Sequence, residues 1–172
     1  MIENISKPVI SKLFILAIYQ IFGGIIGIVL TIYIASTVAT FPFIVIAMLL
    51  VALALYYYSI LCGVLILKNP FIGLKRSLVL QFLQVVFFSI SGFGFKYFSG
   101  LYFTVEFDLG YFPNFELGWG ISSWNFNFKN ASHKNYVGVN FLAILLVIFI
   151  DKQISKLKEK TLQNKILELG QN

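Results

Sequence analysis

The chain has 172 residues, of which 59% are apolar and only 12% charged, and its mean hydropathy is +0.87. Soluble domains run at roughly 45–50% apolar and about 25% charged, so a globule surrounded by water on every side is excluded. The net charge of +6 does not mark a nucleic-acid binder, because Lys and Arg sit at the ends of apolar stretches and form no basic stripe with aromatic readers.

Met1–Lys12 is a short polar head, with Pro8 suited to a first helical turn. Leu13–Ile34 follows as 22 residues without an ionisable group other than tyrosine. A bilayer core about 30 Å thick needs about 20 apolar helical residues to cross it. The stretch exceeds the 7–15 residues typical of a signal-peptide core, so it is predicted to be a retained span. Gly23, Gly24 and Gly27 bare one side of this helix. That suits close packing against another span of the chain or against a second copy. Gln20, about one turn earlier, requires an amide partner in hydrocarbon.

Phe43–Leu67 is the second stretch, opened by Pro42 and stopped by Lys68-Asn69-Pro70. It holds Cys62, the single cysteine, which excludes an intrachain disulfide. Of Tyr56-Tyr57-Tyr58, Tyr57 is expected in the bundle interior, within reach of Gln20 or Gln84. Leu78–Phe95 is the third stretch, introduced by Lys75 and Arg76. Its Gln81 and Gln84 are three residues apart and share a helix face. With Gln20 they are expected to bridge helices, or to line a wet axis in an oligomer.

Between residues 96 and 136 the pattern changes to period two. Phe103, Val105, Phe107 and Leu109 alternate with polar residues, as do Phe115, Leu117, Trp119 and Ile121, and then Trp124, Phe126 and Phe128. This predicts three antiparallel strands, with turns at Gly110, Pro113-Asn114 and Ser122-Ser123. Trp119, Trp124, Phe126 and Phe128 are expected to form an outer contact surface. His133 lacks metal-ligand spacing, and Asn130-Ala131-Ser132 matches a glycosylation sequon that has meaning only in a eukaryotic secretory pathway.

Val137–Ile150, the fourth stretch, is short at 14 residues. Tyr136 and Asp151-Lys152 extend it by anchoring and snorkelling. A basic helical tail follows, whose Ile154, Leu157, Leu162 and Ile166 suit contact with anionic lipid, with another helix, or with neither.

Ten of the 13 basic residues fall on one side of this arrangement, which makes that side, and both termini, cytoplasmic. The Ile-, Phe-, Asn- and Lys-rich usage suggests a bacterial chain, hence an inner (plasma) membrane. The expected fold is a four-helix transmembrane bundle with a small extracytoplasmic antiparallel β-sheet between spans 3 and 4. It divides into residues 1–95, 96–136 and 137–172. With no charge inside the spans, a proton- or ion-coupled transporter is disfavoured. Glu106 and Asp108 are the one carboxylate pair open to a lipid-modifying enzyme. A solubilising strand face accounts for them as well, and no catalytic, cofactor-binding or metal residue is assigned. The expected function is a non-enzymatic integral membrane component (subunit, scaffold or sensor) that assembles as a homo-oligomer or with a membrane-protein partner. The alternative is an oligomeric channel or passive carrier with a glutamine-lined path.

Overall fold

In a computed structural model, which describes residues 7–38, 42–110, 114–128 and 134–169, the chain forms four helices and four strands. Helix α1 is Lys7–Thr37 and α2 is Phe43–Lys68. Both are long and apolar enough to cross a membrane. They pack as a long hairpin on small residues. A Cβ at Gly24 would lie 2.6 Å from the Ile60 side chain and 2.7 Å from the Tyr56 carbonyl, and one at Gly63 would lie 2.6 Å from the Ala17 carbonyl.

The other two expected spans are not helices both long and apolar enough to cross a membrane, and the four-span bundle is corrected accordingly. Helix α3 covers Pro70–Val85 only, 16 residues. Asn69 caps it, its Oδ1 accepting from the Ile72 N–H at 3.4 Å, and Pro70 takes the first turn. At Val86 the chain leaves the helix and becomes strand β1, Val86–Ile90. The physical reason is local: Val85-Val86-Phe87-Phe88 is a β-branched and aromatic run, and such residues fit a pleated surface better than a helix. Likewise the fourth stretch opens as strand β4, Tyr136–Asn140, through Val137-Gly138-Val139. Helix α4 runs over Phe141–Leu169. Asn140 is its N-cap, accepting from the Leu142 and Ala143 N–H groups at 3.1 and 3.3 Å. Only ten residues of α4, Phe141–Ile150, are continuously apolar, about 15 Å of helix.

The sheet also departs from expectation. It has four antiparallel strands in the order β1-β4-β2-β3, with β2 spanning Phe93–Asp108 and β3 Phe115–Asn127. Ser91 and Gly92, both at positive φ (51° and 83°), turn β1 into β2. That is the two-residue turn whose twist matches a hairpin. Strand β1 pairs with the start of β2 and also with β4, while β4 pairs with the end of β2. These three strands therefore curl back on themselves. The bend in β2 lies at Ser99-Gly100, where the register with β3 shifts and Gly100 has φ +89°. Ser122 (φ 46°) faces this shift. The expected turn at Ser122-Ser123 is thus part of one continuous strand, with Ser122 opposite a β-bulge formed by Ser99 and Gly100 of β2.

Two cores result. Leu13, Leu16 and Ala17 of α1, Ile66 of α2, Leu74 of α3 and Ile150 and Ile154 of α4 form the first. Tyr56 and Cys62 of α2, Leu80 of α3 and Tyr97 of β2 form the second. Because α4 starts at the sheet and reaches Leu13 and Ile66 by Ile150, the exposed Lys12, Lys68, Lys75 and Lys152 gather at one end of the molecule.

Candidate functional site

Three features of this fold carry chemistry: a buried polar seam, a charged hollow in the curled sheet, and an uncovered apolar face.

The seam lies where the sheet meets the helix hairpin. Gly23, near the middle of α1, stands against the backbone of Ser99-Gly100, and a Cβ there would overlap it. The sheet therefore leans along the hairpin instead of capping its end, which corrects the expected placement beyond the span ends. The bulge residues complete the contact. Ser122 donates to the Gly23 carbonyl at 2.8 Å and accepts from the Gly100 N–H at 3.0 Å. Gln20 is fully buried. Its Oε1 accepts from Ser77 at 2.9 Å and its carbonyl accepts from Ser59 at 2.9 Å. Ser99 donates its hydroxyl to Ser59 at 2.8 Å and its N–H to Gln84 Oε1 at 2.7 Å. Gln84 thus joins α3 to the bulge, and Ser99 links it through Ser59 to Gln20. Gln81 is equally buried, yet neither of its amide atoms has a hydrogen-bond partner among the described residues.

All three glutamines are enclosed within a single copy, among packed helices. Gly24 and Gly27 face Tyr56, with Gly27 against its ring. Tyr57, expected inside, is 58% exposed; its neighbour Tyr56 is the buried one and donates to the Phe98 carbonyl at 3.2 Å. Successive helix residues point about 100° apart, so only one of three adjacent tyrosines can face the seam. Cys62 is buried, and burial holds it as an inert thiol beside Tyr56 and Leu80.

The hollow, about 180 Å³, is lined by Lys96, Tyr102, Thr104, Glu106 and Glu116 together with Gly118 and Trp119. Lys96 and Glu106 form an ion pair at 3.8 Å, each side chain about one-fifth exposed. The Lys96 ammonium also stands 5.0 Å from the Phe87 ring. Burial raises the Glu106 carboxyl above the usual glutamate range; Lys96 opposes this and Glu116 adds to it. Lys134 bridges Asp108 and Glu116 at 3.8 and 3.5 Å. Glu106 thus pairs with Lys96 and Asp108 with Lys134. Among the described residues no group of His, Cys, Asp and Glu is arranged to hold a metal ion. His133, Lys129 and Asn130–Ser132 lie outside the described residues.

The expected outer surface divides in two. Trp124 and Phe126 are half-buried and pack against Tyr56, Leu80 and Tyr97. Parity within the continuous strand causes this: odd-numbered Phe115, Leu117, Trp119 and Ile121 point to one face of the sheet and even-numbered Trp124 and Phe126 to the other. Beyond the bulge the apolar face turns outward. Trp119 is 83% exposed and Leu117 70%, opposite Phe103 and Val105 of β2, with Ile121 opposite Leu101. Phe128 is half-exposed and packs edge-on against Phe93.

Sequence reasoning missed Ser59, Ser77, Ser99 and Ser122. Ser59 and Ser77 read as neutral small residues of apolar helices, and only the crossing of the sheet brings Ser99 and Ser122 to the seam. Comparison with protein-family models, with curated proteins and with solved structures finds no match.

Proposed function

We propose that this protein is a non-enzymatic component of a membrane, held there by the α1–α2 hairpin, that assembles through the uncovered apolar half of its sheet. One observation carries the reading. Leu101, Phe103, Leu117, Trp119 and Ile121 form a contiguous apolar surface that none of the described residues covers. Large uncovered apolar patches mark interaction surfaces, and aromatic residues are favoured at their centres. The exposed apolar residues of the hairpin, Phe22, Ile25, Val29 and Ile32 among them, suit lipid instead. The basic end of the molecule suits the cytoplasmic side of a bacterial inner membrane by the positive-inside rule, with both termini there. Anionic headgroups suit the lysines of α4 on the same side.

The burial of Gln20, Gln81 and Gln84 within one copy favours this reading over the alternative of a glutamine-lined conduit. Native mass spectrometry of the protein extracted gently from its own membrane tests the reading. A defined oligomer or complex is expected. Trp119→Ala should shift it toward the single chain while leaving thermal stability unchanged. A monomer in native-like lipid, with or without Trp119, sinks the reading.

A further inference from the structure

The uncovered apolar face ends in an uncovered edge. Strand β3 pairs with β2 on one side, and among the described residues no strand pairs with its other side. From Phe115 to Ile121 the pairing of this strand is regular, up to the register shift that Ser122 faces. Natural sheets blunt such edges with proline, lysine or a bulge. Here β3 contains neither lysine nor proline, and Glu116 is its single charge. Leaving alternate N–H and C=O groups unpaired beside hydrocarbon costs several kcal/mol each.

We infer that the edge of β3 takes the β3 strand of a second copy, antiparallel, about a two-fold axis at Gly118. This rests on the reading above and names its partner. The choice of axis follows from the sequence. A two-fold through a residue pairs odd positions with odd ones, so outward-pointing backbone groups meet their counterparts and the apolar faces of both copies stay on one side. Centred on Gly118, Leu117 meets the partner's Trp119 and Phe115 the partner's Ile121. Glu116 meets the partner's Gly120, so the two carboxylates are kept apart. Large residues sit opposite large ones, and the single charge sits opposite a glycine. A different protein would need its own matching strand; a second copy already has one.

The test uses full-length protein in native-like membranes, with Cys62→Ala as background and two single substitutions at exposed positions. Leu117→Cys in one tagged copy and Trp119→Cys in another are co-expressed and oxidised with copper phenanthroline. Opposed residues lie roughly 4.5–5.5 Å apart between Cα atoms, inside the disulfide window. Like residues, Leu117→Cys with itself, are offset by two positions and lie roughly 7–8 Å apart, outside it. The mixed dimer should therefore dominate over both self-dimers. Equal mixed and self cross-links, in a protein that is still oligomeric, would overturn the edge pairing and leave assembly through the apolar face standing. Cys62→Ala protein with Leu117 and Trp119 intact that stays monomeric without oxidant overturns both. Retained thermal stability of each variant, expected because both side chains are mostly exposed, separates these outcomes from misfolding.

Discussion

Gln81 and Gln84 are one helical turn apart and equally buried, yet their substitution should have opposite effects. Gln84 Oε1 satisfies the Ser99 N–H at 2.7 Å. Gln84→Leu leaves that buried N–H without a partner, which costs about 1–3 kcal/mol. Gln81 has no partner at either amide atom among the described residues, so Gln81→Leu removes an unsatisfied group and should be neutral or stabilising. Thermal unfolding in detergent of the two variants, side by side, checks the contrast. Glu106 gives a second residue-scale prediction. Burial raises its folded pKa above the unfolded value, so the folded state holds the proton more tightly. Its contribution to stability is then greatest below the ordinary glutamate range and is lost as pH rises through the raised native value. Glu106→Gln should flatten that part of the stability–pH curve, read from unfolding midpoints across mildly acidic pH.

Among the elements, the helix pair α1–α2 depends on its glycines. A methyl group at Gly27 would overlap the ring of Tyr56, and one at Gly23 the backbone of Gly100. Tyr56 can yield only by leaving its hydrogen bond to Phe98, and the Gly100 backbone cannot yield without moving the bulge. Gly27→Ala and Gly23→Ala should each cost about 1–3 kcal/mol, as overpacking does, with Gly23→Ala the larger loss. Denaturation of the purified variants measures both. These two elements were legible in the sequence, because apolar length and flanking Pro and Lys specify a helix of membrane-crossing length almost without reference to anything else. The other two apolar stretches were not. In Leu78–Phe95 and Val137–Ile150 hydropathy gives the same signal for a helix as for a buried strand, and only branching decides between them. The clues were present at Val85–Phe88, in Ser91-Gly92 as a tight hairpin turn, and in Val137-Gly138-Val139. The break in alternation between Ile121 and Trp124 reads equally as a turn or as one continuous strand. What decides for the strand is α1, whose Gly23 carbonyl awaits the Ser122 hydroxyl 99 positions away, a contact no local pattern records.

Taken as a whole, the molecule has a basic end at Lys12, Lys68 and Lys152, a middle where sheet and hairpin share a polar seam, and an apolar flank ending in an open strand. The seam also has a chronology. Gly23 is made early and Ser122 is made 99 residues later. At synthesis rates of about 5–20 residues per second, roughly 5–20 s separate the two. During that interval the hairpin is already long enough to enter a bilayer, while its notch at Gly23 stays open and lacks the Ser122 hydroxyl. The growing chain thus passes through a vulnerable period with a defined end, the arrival of β3. A version truncated ahead of Phe115 never leaves that period. In a pulse–chase it should be degraded faster than the complete chain from the first minutes onward.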